Sequence, residues 1–224
     1  MSKIITVASK KGGAGKSTLA INLAAAASAA DIPTAIIDLD PDQQAASKWS
    51  DSRTANGPIV LSAVHTRLQQ AIADAERGGA ELVLLDTPAF VESIISAAIG
   101  VADIVLIPCR ATGQDIQYLT STIDLVVAKQ KPAAVVLNSI ESRLAETEQA
   151  TALIEKLGIT IAPHHLSKAV AYHRAITAGL GVTELDPTGK AAQEILSLLA
   201  WISRLLYLST DGEVEQSQPR SVAL

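Results

Sequence analysis

Cysteine, aromatic side chains and charge are all scarce in this chain of 224 residues. It contains one cysteine, 3% aromatic residues and 18% charged residues. A single cysteine excludes a disulfide framework within the chain and argues against cysteine-ligated zinc or iron–sulfur sites. We expect Cys109, at the end of the apolar run 104–107, to be a small core residue and not a catalytic nucleophile.

Long apolar runs and a surplus of positive charge are also missing. No apolar stretch reaches the ~18 residues that a transmembrane helix needs, and no signal peptide precedes the first apolar segment. We therefore expect a cytoplasmic protein without a membrane partner. The formal net charge of -5 argues against a strongly basic nucleic-acid binder, but it does not exclude a local basic patch.

Small and branched apolar residues are plentiful. Hydrophobic residues make up 48% of the chain, and with so few aromatics the core must consist mainly of Ala, Ile, Leu and Val. Such a core suits parallel strands that are buried on both faces. Because the composition shows no break that would mark a second domain, we expect one domain at 1–208, followed by a polar, disordered tail at 209–224.

Apolar runs and amphipathic segments alternate along this domain. The predicted strands are 3–9, 34–38, 59–64, 82–86, 104–108, 133–138 and about 159–163. The predicted helices are 17–30, 66–77, 91–101, 114–130, 144–157, 168–179 and 187–207, the last capped by Asp186 with Pro187 in its first turn. The alternation predicts an α/β fold, with a doubly wound, mainly parallel sheet and helices on both faces.

A glycine-rich loop follows the first strand and opens the first helix. It reads Lys10-Lys11-Gly12-Gly13-Ala14-Gly15-Lys16-Ser17-Thr18. Glycines let backbone N–H groups approach a phosphate, and the helix directs its positive end at the same charge. In this pattern Lys16 lies along the β- and γ-phosphates and Ser17 holds Mg²⁺. The alternative is a glycine-rich turn beside solvated lysines.

Acidic residues end two further predicted strands. Asp38 and Asp40 follow the strand at 34–38, and Asp86 ends the strand at 82–86. Carboxylates at this end of a parallel sheet lie over the crevice in which α/β folds bind ligands. Each aspartate taken alone is more simply a helix cap or turn former. Three in register with the loop favour a metal-assisted site.

The strict pattern G-x-x-x-x-G-K-[ST] fails at Lys10, and an additional lysine stands at Lys11. That variant is the signature of the deviant Walker A ATPases. With Asp38-Leu39-Asp40-Pro41 and Asp86-Thr87-Pro88, the chain resembles the ParA/MinD family from Met1 to about Leu208. The resemblance implies a P-loop NTPase of the deviant Walker A type that hydrolyses ATP slowly until a partner protein stimulates it.

The resemblance also implies roles for single residues. Lys11, Lys16 and Asp40 form the expected catalytic set, in which Lys11 reaches the phosphates of a second chain across an ATP-dependent homodimer and Asp40 orients the attacking water. Mg²⁺ is assigned to Ser17, Asp40 and Asp86. The expected ATP-binding residues are Lys11, Gly12, Gly13, Ala14, Gly15, Lys16, Ser17, Thr18, Asn138 and Pro163.

Several of these assignments stay open. Asn138 stands where relatives often contact the purine, but it is equally a strand-end turn former. Asp42 stands where the family usually has glutamine, and Ala89 replaces a proline that often follows the Walker B aspartate. Asp38 would support either the metal shell or Lys11.

In the family, the ATP dimer presents a basic surface to non-specific DNA. Lys168, Arg174 and Arg143 are the candidate phosphate contacts here, although each alone is more simply a solvated surface charge. A dimer would double a weak patch and so raise its affinity steeply.

Three functions compete under this resemblance. The first is plasmid or chromosome partition on the nucleoid with a ParB-like partner. The second is the same ATPase acting on a protein cargo, such as a microcompartment or a chemoreceptor cluster. The third, a MinD-like membrane regulator, needs a basic amphipathic C-terminal helix, and the terminal segment here is acidic.

Overall fold

The computed structural model describes residues 1–141 and 144–207, and of residues 144–146 and 207 it describes the backbone alone. Within these ranges one parallel sheet has the strand order β3-β2-β4-β1-β5-β6-β7. The strands are β1 (Lys3–Val7), β2 (Thr34–Asp38), β3 (Ile59–Ser62), β4 (Leu82–Asp86), β5 (Ile104–Cys109), β6 (Ala133–Leu137) and β7 (Thr160–Ile161). The predicted doubly wound, parallel α/β fold is confirmed.

Helices cover both faces of the sheet. They are α1 (Lys16–Ala29), α2 (Ala45–Asp51), α3 (Leu68–Arg77), α4 (Glu92–Val101), α5 (Gly113–Ala128), α6 (Leu144–Glu155), α7 (Val170–Thr177), α8 (Val182–Leu185) and α9 (Lys190–Tyr207). Every residue of β2, β4 and β5 is buried, as expected for parallel strands that are covered on both sides.

The helix α1 is the centre of the larger core. Residues 19–27 are all buried, and seven of them are alanine or leucine side chains that pack against the sheet and α9. A helix that is apolar on every side has no amphipathic stripe, because it has no solvent face. On the opposite face of the sheet, α3, α4 and α5 cover two further apolar clusters, in which Cys109 is buried as expected.

The structure corrects three details of the predicted elements. The helices α2 and α8 were not predicted, because seven and four residues are too short for a clear helical period. The last helix begins at Lys190 and not at 187, so Asp186 does not cap it. Instead the Asp186 carbonyl accepts a hydrogen bond from the Gly189 N–H at 3.0 Å, which closes a turn before the helix.

Two predictions lie outside the described residues, namely the tail at 209–224 and the placement of Arg143. The limits of the single domain therefore stay a prediction. None of the described helices combines the length and hydropathy needed to cross a membrane.

Candidate nucleotide-binding site

The strand register brings the predicted motifs together at the carboxyl edge of the sheet. In β4, Asp86 lies opposite Val7 of β1 on one side and opposite Asp38 of β2 on the other. The glycine-rich loop begins directly after β1. The loop and the two acidic strand ends are therefore neighbours, as the order of the motifs predicted.

The loop has the backbone shape of a phosphate cradle. Gly13 and Gly15 have φ angles of 71° and 98°, in the left-handed region that favours glycine. Gly15 is the N-cap of α1, and no side chain caps this helix end. The N–H groups of the first turn are thus left for an anion, and the helix dipole favours one at this point.

Asn138 braces the loop from below. Its amide nitrogen donates to the Ala14 carbonyl at 2.7 Å, and its amide oxygen accepts from the Ser139 N–H at 2.7 Å. A Cβ on Gly15 would lie 2.0 Å from the Asn138 amide nitrogen. The side chain therefore supports the phosphate loop, and its predicted contact with the purine stays a prediction, as does the ATP-binding role of the exposed Pro163.

Lys16 is buried at the base of the loop, with 7% of its surface exposed. Its ammonium donates a hydrogen bond to the Lys11 carbonyl at 3.1 Å. Burial lowers the pKa of Lys16, and the carboxylates of Asp86 and Asp40 oppose that shift. A largely desolvated ammonium with several donors favours an anionic ligand at this position.

Asp86 is completely buried, and neither of its carboxylate oxygens has a hydrogen-bond partner among the described residues. Burial raises its pKa to about 7, which the nearby Ser17 hydroxyl and Lys16 ammonium offset only in part. A buried carboxylate without partners is costly, and carboxylate oxygen is a ligand that Mg²⁺ prefers. The Asp86 side chain therefore fits the metal role predicted for it.

Asp38 organises the loop that follows β2, and its predicted support of the metal shell stays a prediction. Its carboxylate accepts hydrogen bonds from the Asp40 N–H at 3.1 Å and from the Ser47 N–H and hydroxyl, both at 3.0 Å. It thereby ties the loop after β2 to the first turn of α2. No contact between Asp38 and Lys11 is formed in the described structure.

Asp40 shapes the same loop. One of its carboxylate oxygens accepts from the Asp42 N–H at 3.0 Å and from the Gln43 N–H at 2.9 Å. Asp42 itself is exposed and contributes only its backbone N–H here. Asp40 thus projects from an ordered turn that Asp38 anchors, and its second oxygen takes no part in this turn.

The two lysines before the glycines form ion pairs with two different helices. The Lys11 ammonium lies 2.6 Å from the Asp115 carboxylate on α5, with 19% and 3% of the two side chains exposed. The Lys10 ammonium lies 2.7 Å from Glu92 on α4, whose side chain is 62% exposed. Sequence reasoning missed the first pair, because 104 residues separate its members.

Gly12 lies against an exposed aromatic residue that sequence reasoning also missed. A Cβ on Gly12 would come within 3.3 Å of the Phe90 ring. Phe90 has a φ of 64° and makes an edge-to-face contact with Tyr118, with 6.4 Å between ring centroids. Space above the loop is therefore restricted on this side.

A cavity of about 310 Å³ adjoins the loop on the β5 and β6 side. It is lined by the segments that follow these strands and by Lys168. Arg110, in the first of these segments, donates a hydrogen bond to the Gly13 carbonyl, so one wall of the cavity contacts the phosphate loop.

The candidate DNA contacts are exposed and make few contacts with the rest of the protein. The Lys168 ammonium is paired with Glu141 at 2.6 Å, and both side chains are more than half exposed. Arg174 is exposed on α7, and its side chain forms no hydrogen bond or ion pair with the described residues. The structure does not bring these two side chains together in one preorganised site.

The fold and this loop define a P-loop NTPase. Residues 5–182 match the family model described as the CobQ/CobB/MinD/ParA nucleotide binding domain, and the chain belongs to this family. It is accordingly a nucleotide-binding ATPase of the ParA/MinD type, as the glycine-rich loop predicted.

Similar curated proteins include two that match over most of their length. The chain is 30% identical over 205 residues to maintenance of carboxysome distribution protein A of Halothiobacillus neapolitanus, covering 87% of this chain and 94% of that protein. It is 31% identical over 196 residues to the protein of the same name from Gloeobacter kilaueensis, covering 86% and 88%. Protein ParA of Rhizobium radiobacter is 28% identical over 133 residues, covering 57% and 58%.

Solved structures share the fold at low identity. MinD of Pyrococcus horikoshii, complexed with Mg-ADP, has a TM-score of 0.77 and 16% identity, covering 93% of this chain and 98% of that one. McdA of Cyanothece without nucleotide has a TM-score of 0.70 and 18% identity, covering 89% and 100%. At these identities the likeness concerns the fold alone.

Proposed function

We propose that this chain dimerises when it binds ATP, holds non-specific DNA in that state and is released when a partner protein stimulates hydrolysis. The observation that carries the proposal is that two lysines of one loop lie in different environments. Lys16 is buried at the base of the loop, whereas Lys11 is paired at its side and is partly exposed. One lysine is thus placed for the chain's own nucleotide, and the other is available for a second chain.

Hydrolysis needs cations around the γ-phosphoryl group and a water in line with the leaving group. Lys16 and the N–H groups of α1 bind the phosphates, and Ser17, Asp40 and Asp86 are the residues that would hold Mg²⁺. The metal, when bound, neutralises charge that develops on the phosphate oxygens. Asp40 orients the water from the turn that Asp38 anchors.

ATP-dependent dimerisation is the step that switches the chain from its released state to its DNA-bound state. A second chain that approaches the loop brings its Lys11 to the phosphates, as a cationic finger supplied in trans. Such fingers contribute roughly 10³–10⁵ in rate elsewhere. The close approach agrees with Gly12, which is exposed and has no side chain that would separate the two loops.

The cargo is proposed to be a protein assembly. The relatives that match over most of both chains are carboxysome distribution proteins, which favours the second of the three functions in the sequence analysis. Partition of DNA with a ParB-like partner is the second candidate, because ParA proteins of Rhizobium radiobacter and Myxococcus xanthus also match. Both candidates require the same association with the nucleoid.

The test is a gel-shift titration on random duplex DNA with ADP, ATP and a slowly hydrolysed ATP analogue. We expect a shift with ATP and a larger one with the analogue, and none with ADP. Light scattering on Asp40→Ala with ATP should show a dimer, because this variant binds ATP but hydrolyses it poorly. A monomer at saturating ATP, or equal shifts with ADP and ATP, would contradict the proposal.

Deletion of the gene distinguishes the two cargoes. If the deletion makes a cytosolic protein assembly cluster while plasmids and chromosomes are inherited normally, the result supports the protein cargo. Loss of a plasmid or misplaced chromosomes supports partition.

A further inference from the structure

Asp115 is a buried carboxylate that the proposed chemistry does not use. Its side chain is 3% exposed, and one of its oxygens lies 2.6 Å from the Lys11 ammonium. The same oxygen accepts a hydrogen bond from the Thr112 hydroxyl, whereas the other oxygen is buried without a partner. Lys11 is therefore the only cation paired with Asp115 among the described residues.

Capping of α5 does not account for this carboxylate. Thr112 is the N-cap residue, and its hydroxyl accepts from the Asp115 backbone N–H. That cap needs the Thr112 side chain and the Asp115 backbone only. The charge of Asp115 contributes chiefly to the pair with Lys11.

We propose that Asp115 is a positioning residue that holds Lys11 against its own chain and so sets the threshold for ATP-dependent dimerisation. The inference rests on the proposed role of Lys11 in a second chain. When Lys11 leaves to reach the partner's phosphates, Asp115 stays behind as a buried charge without a counter-ion. Breaking a buried pair in this way is strongly unfavourable, so the dimer must offset that loss.

The chain offers a matched control for this pair. Lys10, the residue before Lys11, is paired with Glu92 at a similar distance, and the two lysines are about equally buried, but the Glu92 side chain is 62% exposed where that of Asp115 is 3% exposed. Exposed pairs contribute little because water screens them. Glu92→Gln therefore removes a carboxylate that pairs with the same loop, without leaving a buried charge or releasing Lys11.

The first experiment tests the pair without nucleotide. Lysine acylation with a water-soluble active ester, followed by fragment mass spectrometry, measures the reactivity of Lys11 and Lys10 separately. We expect Asp115→Asn to raise the reactivity of Lys11 several-fold and Glu92→Gln to leave it unchanged. Asp115→Ser is a second variant that removes the charge, and thermal unfolding confirms that each variant folds. Unchanged reactivity of Lys11 in both Asp115 variants would overturn the inference and leave the proposed function intact.

The second experiment measures the protein concentration at which ATP produces half-maximal dimer. We expect Asp115→Asn to lower it about tenfold, equivalent to about 1.4 kcal/mol, and Glu92→Gln to leave it unchanged. A merely structural role would weaken dimerisation, so an unchanged or higher midpoint in Asp115→Asn overturns the inference. If neither wild type nor variant dimerises with ATP, the proposed function fails and the inference falls with it.

Discussion

Charged side chains at the phosphate loop are buried and fixed by the protein around them, whereas those on and just before α7 are exposed and have few partners. Lys16, Asp86 and Asp115 are each less than a tenth exposed. Lys168 has one partner, on the surface, and Arg174 has none among the described residues. The first region is a preorganised site, and the second is a set of solvated charges.

This difference explains why a short sequence motif can specify a nucleotide site but not a DNA-binding surface. The orientation of a buried charge follows from the backbone around it, so a few loop residues define the nucleotide site. A DNA-binding face depends on the sum of charges over a wide area, which a dimer would alter. The following predictions test this contrast, from the largest expected effect to the smallest.

Lys16→Ala should remove most nucleotide binding. It deletes the buried ammonium at the base of the loop, and a lost hydrogen bond to a charged group is worth about 3 kcal/mol, or about 100-fold in affinity. Titration with a fluorescent ATP analogue measures this. Lys10→Ala is the control, since its exposed pair with Glu92 predicts affinity close to wild type.

Gly15→Ala should damage both the fold of the loop and its affinity for nucleotide. Its φ of 98° and the approach of a Cβ to Asn138 predict a loss of roughly 2 kcal/mol in the free energy of unfolding. Gly100→Ala is the control, because that glycine lies in α4 with nothing near its Cβ position. Urea denaturation should show the control as stable as wild type or more so, and equal losses in both variants would contradict the prediction.

Arg174→Glu should abolish the ATP-dependent DNA shift and spare dimerisation, while Lys168→Glu should weaken it less. The reason is that Glu141 already neutralises part of the Lys168 charge. Each lost phosphate contact reduces the log–log salt slope by about 0.9, which filter binding at several salt concentrations measures. Lys129→Glu is the control, since Lys129 precedes β6 and lies at the amino edge of the sheet. Unchanged DNA binding in both variants would show that the contacts lie elsewhere.

Cys109 should resist alkylation in the native protein. Burial, and to a smaller extent the Asp115 carboxylate, raise the pKa of its thiol to about 12, while the Lys11 ammonium opposes the shift. Well below pH 9 the thiol is mostly neutral in both the folded and the unfolded chain, so it adds little pH dependence to stability there. At higher pH the unfolded thiol ionises first, and stability falls as pH rises towards 12. Iodoacetamide at pH 8 should modify the denatured chain alone, and rapid labelling of the native chain would contradict this.

The sequence by itself determined the parallel α/β fold, the phosphate loop and the family. These follow from local patterns: apolar strand runs, glycines at positive φ, and acidic residues at strand ends that parallel pairing must bring to one edge. The positions of Lys16 and Asp86 at one edge of the sheet were therefore predictable, whereas their roles with phosphate and Mg²⁺ stay predictions.

Tertiary structure decided how the remaining polar groups are used. Asp38 anchors Ser47, Asn138 braces Ala14, and Asp115 holds Lys11 across 104 residues of sequence. Helices as short as α2 and α8 also form only against the rest of the fold, since isolated helices of that length are not stable. The physical reason is common to all of them: a hydrogen bond or ion pair depends on atoms that packing brings within about 3 Å, and sequence spacing does not encode that distance.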